Sequence, residues 1–123
     1  MKEIIAIIRP KKVRATKEAL DAIGFPCFMA ISVLGRGHQR GIAGEVSCEL
    51  SQATLSQAKT GGMKYIPKRL LTIVVPDSNV DEVAAAVVAA NQTGEVGDGK
   101  IFICPMDNAV RVRTDETGES AIL

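Results

Sequence analysis

Tryptophan is absent from this chain of 123 residues, tyrosine occurs once, and aromatics total 3%. A binder of single-stranded nucleic acid stacks bases on aromatic rings, so that class has almost nothing to work with here. An excess of one charge is missing as well. Fifteen Lys and Arg stand against 14 Asp and Glu, which gives no general attraction to nucleic acid or to an anionic membrane. The longest uninterrupted apolar run, Val83 to Ala90, is far short of the ~18 residues a membrane span needs, and the run Ile4 to Ile8 stops at Arg9-Pro10. Neither export nor anchoring is indicated. Cys27, Cys48 and Cys104 are odd in number and far apart, unlike a disulfide framework or a zinc site, and they suit a reducing cytoplasm. Cys27 and Cys104 fall in strand-like runs and are expected as small core residues, with Cys48 in a polar loop. One histidine, no evident nucleophile–base pair and no acidic cluster argue against catalysis.

What is present describes one domain, residues 1–123, large enough for a single core. Residues 3–8 are apolar and β-branched and predict a strand ended by Pro10. From Val13 to Ile23 an apolar stripe at Thr16, Ala19, Leu20 and Ile23 predicts a helix stopped by Gly24. Cys27 to Leu34 reads as a second strand and Leu70 to Val75 as a third, closed by Pro76. Ser78 or Asn79 is placed to cap a second helix, with Asp81 and Glu82 in its first turn and Val80, Val83, Ala84 and Val87 as its buried stripe. Ile101 to Met106 predicts a fourth strand, and Ala109 to Arg113 a short fifth. The order βαββαβ with this small addition predicts an α+β ferredoxin-like sandwich, an antiparallel sheet with two helices on one face.

Two segments exceed what such a fold needs. The connection between the second and third strands takes roughly thirty residues where 2 to 5 would close a hairpin. From 36 to 69 it holds six cations, Arg36, Arg40, Lys59, Lys64, Lys68 and Arg69, against Glu45 and Glu49, a net of +4. It is polar and glycine-rich, either a solvated insertion or an arm that orders on a ligand or partner. The other is Thr93 to Ile103, a turn punctuated by Gly94, Gly97 and Gly99 that ends in Lys100 and enters a strand. Such glycines let successive N–H groups point inward to cradle an oxyanion. Gly94 to Lys100 spells the first seven positions of a Walker A loop, but Ile101 replaces the Mg²⁺-binding hydroxyl, and the turn follows a helix instead of opening one. That rules out a P-loop NTPase and leaves nucleotide binding against an ordinary αβ connection.

The pieces together resemble the PII signal-transduction family over nearly the whole chain. The resemblance rests on Thr-Gly-x-x-Gly-Asp-Gly-Lys-Ile-Phe at 93–102, Ala6-Ile7-Ile8-Arg9-Pro10, Ile73-Val74-Val75-Pro76-Asp77, and Val110-Arg111-Val112-Arg113. The arm entry Leu34-Gly-Arg-Gly-His-Gln-Arg-Gly-Ile42 is most similar to the NifI branch, in its second, longer-arm type. The resemblance implies a cytoplasmic trimer, with ATP or ADP held between subunits and 2-oxoglutarate bound with Mg-ATP at the base of the arm, the T-loop, about residues 36–67. It implies that Gly97, Gly99 and Lys100 embrace the phosphates, with Arg111 and Arg113 reaching in from the neighbouring subunit. Ile7, Gly37, His38, Gln39, Val74 and Asp98 complete the implied nucleotide set. Gln39 is the implied Mg²⁺ ligand beside 2-oxoglutarate and Lys68 the partner of its distal carboxylate, with Arg9, Gly41 and Gly97 assisting. Residues two apart on a strand share a face, so a strand at 109–113 would let both arginines converge on one polyphosphate.

The branch implies a non-enzymatic regulator that works with a first-type NifI paralogue, as a homotrimer or a hetero-oligomer, on dinitrogenase. Three positions depart from the family pattern: His38 stands where many relatives have arginine, and Met29 and Thr72 where enteric relatives have adenine-side Thr and Glu. Tyr65 does not align with a uridylylation tyrosine. A PII protein for an ammonium transporter or biosynthetic enzyme, or a slow ATPase, are the remaining alternatives.

Overall fold

The computed structural model describes residues 1–37 and 65–123. Four strands form one antiparallel sheet: β1 (Lys2–Ile8), β2 (Met29–Arg36), β3 (Tyr65–Val75) and β4 (Lys100–Pro105), in the order β2-β3-β1-β4. Helices α1 (Val13–Ala22) and α2 (Val80–Asn91) follow β1 and β3. This is the predicted α+β ferredoxin-like arrangement. Among the described residues no helix is long and apolar enough to cross a membrane.

Strand alternation sets the two faces. Ile4, Ala6 and Ile8 of β1 and Leu71, Ile73 and Val75 of β3 are buried, and they form one core with Leu20 of α1 and Val80, Val83 and Val87 of α2. The two helices are also joined by a polar bond. Asn91 Nδ2 donates to Thr16 Oγ1 at 2.9 Å and to Val87 O at 2.8 Å, while Thr16 Oγ1 donates to Lys12 O at 2.8 Å. Gly24, at φ +84°, closes α1: its N–H bonds to Asp21 O and that of Phe25 to Leu20 O, the pairing of a Schellman cap. Asn79 takes the cap position of α2 but makes no side-chain capping bond; Asp81 and Glu82 occupy the first turn.

The opposite face of the sheet is open. Register places Met29, Ile31 and Val33 opposite Thr72, Leu70 and Lys68, and Ile5 and Ile7 opposite Phe102 and Lys100. Met29, Ile31 and Phe102 are exposed there. Burial along β3 changes parity at this point. Leu71, Ile73 and Val75 are buried toward the helices, whereas Ile66 and Lys68, 2% and 8% exposed, lie on the other face.

Several boundaries differ from the sequence reading. β3 starts at Tyr65, not Leu70, so the expected loop end at 67 falls inside a strand that pairs Arg36 with Tyr65 and Leu34 with Pro67. Pro67 and Lys68 hide this in the pattern. β1 ends at Ile8 opposite Arg69, so one side of β3 has no neighbour at Pro67, where a missing N–H is tolerated. β2 runs to Arg36 and leaves Cys27 in the preceding loop, exposed and outside the core. The expected fifth strand at Ala109–Arg113 is reduced to a single antiparallel bridge, Val110 with Thr117. The chain turns back immediately after it: Asp115 N–H bonds to Arg111 O at 2.8 Å, with Asp115 at φ +62°.

Candidate functional site

The turn between α2 and β4 is organised around one carboxylate. Asp98 Oδ2 accepts the N–H groups of Thr93 at 2.7 Å and Gly94 at 2.9 Å, and Oδ1 accepts the Thr93 hydroxyl and Arg9 Nη1, the latter at 2.6 Å. Arg9 Nη2 also donates to Val96 O at 3.1 Å, and Lys68 Nζ to Gly97 O at 2.8 Å. The Thr93 hydroxyl and N–H, then Arg9 and the Gly94 N–H, hold the Asp98 carboxyl well below the usual carboxylate range, although partial burial pushes the other way. Gly94, Gly97 and Gly99 all have positive φ, +87°, +101° and +113°. At Gly99 a side chain has no room: a Cβ would stand 1.9 Å from Ile7 O. The turn therefore lies directly against the end of β1.

On the open face the turn forms one wall of a cleft of about 450 Å³. Gly97, Gly99 and Lys100 line it, with Ile7 and Phe102 as its floor and both roots of the long arm, Gly35 to Gly37 and Ile66 with Lys68, as the other wall. Lys100 is exposed and Lys68 is buried. This is a donor-rich, largely apolar-floored space, suited to an anion carrying a flat organic group. A smaller cavity of about 280 Å³ lies on the helix side, between α2 and the turn, where Asp98 is part of the lining. Among the described residues no cluster of His, Cys, Asp or Glu could hold a metal ion.

The structure brings Ile7, Gly37, Lys68, Gly97, Gly99 and Lys100 together in the cleft. His38, Gln39, Gly41 and Cys48 lie outside the described residues. Asp98 and Arg9 stand behind the turn and bond to each other, with the Arg9 side chain only 6% exposed. Val74 lies farther along β3, opposite Glu3. Arg111 and Arg113 do not line this chain's cleft, and they sit at a turn, so the shared-face argument from a strand does not hold. Arg111 is bound instead to Glu116 Oε2 at 2.7 Å, Ser120 O at 2.9 Å and Leu123 O at 2.6 Å, and Arg113 is exposed. Thr93 was not among the residues singled out from the sequence, yet three of the Asp98 contacts depend on its turn. Its signal is the pair Thr93 and Asp98, five residues apart within the glycine turn.

A family model described as nitrogen regulatory protein P-II matches residues 1–116. Among curated proteins, "Nitrogen fixation nifHD region GlnB-like protein 2" of Methanobacterium ivanovii is 53% identical over 123 residues, covering 100% of both chains. "Nitrogen fixation nifHD1 region GlnB-like protein 2" of Methanosarcina barkeri is 50% identical over 122 residues, covering 99% of each. "Nitrogen fixation nifHD region GlnB-like protein 1" of Methanothermobacter marburgensis is 41% identical over 118 residues, covering 96% of this chain and 99% of that protein. Among solved structures, Arabidopsis thaliana PII bound to citrate superposes with a TM-score of 0.73 at 29% identity, covering 98% of this chain and 88% of that one.

Proposed function

The chain belongs to the PII family of nitrogen regulatory proteins, and from that premise we propose that it is a nitrogen- and energy-sensing regulator of nitrogen fixation, without catalytic activity of its own. ATP or ADP occupies the cleft, its phosphates against Gly97, Gly99 and Lys100. With Mg²⁺ held by Gln39, 2-oxoglutarate then binds at the base of the arm and pairs with Lys68. The observation that carries this reading is the single cleft in which the glycine turn faces both roots of the arm. A ligand touching both walls has different affinities for different arm poses, which is the condition for a ligand to shift them. The arm then binds or releases a target.

Two features support assembly into a trimer. Met29, Ile31 and Phe102 leave the open sheet face apolar, and Val74, Arg111 and Arg113 do not line the cleft of their own chain. A neighbouring subunit would supply them to it. Dinitrogenase is the proposed target, and a first-type paralogue the proposed companion, because the relatives named for the nifHD region come as proteins 1 and 2. Another nitrogen-metabolism target is the second reading, and the family membership favours it equally. Calorimetry tests the ligand logic. 2-Oxoglutarate is expected to bind only after Mg-ATP, and binding with no nucleotide present would refute the shared-metal arrangement.

A further inference from the structure

Converging N–H groups of a glycine-rich turn repel one another unless an acceptor sits among them. The first half of this turn has solved that internally. The N–H groups of Thr93 and Gly94 both end on Asp98 Oδ2, and the Thr93 hydroxyl ends on Oδ1. Those donors are spent. The Asp98 carboxylate takes the N–H groups of Thr93 and Gly94 and not those of Gly97 and Gly99, and with Lys100 these two glycines are the part of the turn that lines the cleft.

We propose that Asp98 is a positioning residue that does from within the chain what a bound anion would do for the Thr93–Gly94 half of the turn, and that Arg9 is its counter-charge. The proposal rests on the nucleotide reading above. It assigns Asp98 to holding the turn and Arg9 to offsetting its charge, with neither touching the nucleotide.

The charge arithmetic explains the pair. A bare carboxylate directly behind a phosphate site would weaken phosphate binding, because like charges at short range in a partly desolvated setting repel appreciably. Arg9 Nη1 lies 2.6 Å from Asp98 Oδ1, with side-chain exposures of 6% and 23%, so the guanidinium is buried and the two opposite charges offset each other as seen from the cleft. Arg9 Nη2 adds a bond to Val96 O. One buried guanidinium thus fixes the turn to the end of β1 and cancels the charge that shapes it.

Two readouts on the intact protein separate these roles: amide hydrogen exchange at Thr93 and Gly94 without nucleotide, and calorimetric titration with Mg-ATP. Asp98→Asn is expected to speed exchange at both amides and to raise the ATP Kd about tenfold. Arg9→Gln leaves the carboxylate in place, so the amides stay protected while ATP affinity falls, a split that general damage to the fold would not produce. In the Asp98→Asn background the Arg9→Gln loss should shrink, because the carboxylate charge is gone and only the Arg9 bond to Val96 O is left to lose. Unchanged exchange and ATP affinity within about twofold in Asp98→Asn would overturn the proposal. So would an Arg9→Gln loss undiminished in the double variant. If Asp98→Asn does not fold, Arg9→Gln still decides, since faster Thr93 and Gly94 exchange in that variant would show that the arginine only supports structure. A wild-type protein indifferent to ATP would remove the nucleotide reading but leave the exchange result to judge the role of Asp98.

Discussion

Replacing Gly99 by Ala asks the turn to hold its place against β1 with one carbon too many. That carbon would meet Ile7 O at 1.9 Å and Ile7 C at 3.0 Å, both backbone atoms with no rotamer to change, and Gly99 sits at φ +113°. The positive-φ strain is about 1–2 kcal/mol and the forced backbone shift adds about 1–3 kcal/mol, so the loss is roughly 2–5 kcal/mol. Gly94→Ala is the matched control. Its φ is +87° but nothing lies within 4 Å of the added carbon, so it carries only the strain of about 1–2 kcal/mol. For a chain of this size each kcal/mol moves Tm by roughly 3–5 °C. Thermal melts followed by circular dichroism, at one fixed protein concentration because oligomer stability depends on it, should show a clearly larger drop for Gly99→Ala. Because Ile7 and Lys100 are register partners at the same spot, the shift also displaces Lys100 and weakens ATP binding. A Gly99→Ala melt no lower than that of Gly94→Ala would refute the reasoning, for it would mean that the turn does not press on β1.

The Asp98 carboxyl is held below its ordinary range mainly by Thr93, so its stabilising contribution is complete above the unfolded value of about 3.9 and is lost as pH falls through the lower folded value. Urea melts should give a wild-type advantage over Asp98→Asn that is flat from about pH 7 to 5 and shrinks only below about pH 4; an advantage already fading between pH 7 and 6 would contradict this. Lys68→Met removes the charged donor to Gly97 O, which should cost about 1.5–3 kcal/mol and abolish 2-oxoglutarate binding. ATP affinity should stay within about threefold, and an equal loss of both ligands would reduce Lys68 to a support for the turn.

The fold was legible because its signals are local. Ile4, Ala6 and Ile8 alternate, the α1 stripe repeats every three or four residues around Leu20, and Gly24 marks a stop that the backbone uses as such. The glycine turn was legible for the same reason, since positive φ at Gly94, Gly97 and Gly99 is what those residues are for. The surroundings of Asp98 were not. Its partners Arg9 and Thr93 are 89 and 5 residues away, and a sequence pattern says nothing of which side of a turn a carboxylate takes. The start of β3 was hidden because Pro67 and Lys68 interrupt its alternation, and because Ile66 and Lys68 are buried on the face opposite to Leu71. Ala109–Arg113 looked like a strand from its alternating apolar and basic residues, but Arg111 is drawn to Glu116 and the final carbonyls, and the chain folds back on itself.

A nucleotide held by Gly97, Gly99 and Lys100, in the cleft between the glycine turn and the two roots of the arm, is the centre of the proposed function. An equilibrium titration of the purified protein with Mg-ATP, run beside Lys100→Ala at matched stability, measures that directly. Saturable binding that falls by at least about tenfold in the variant is the predicted result; no binding, or equal affinity in the two proteins, would contradict it.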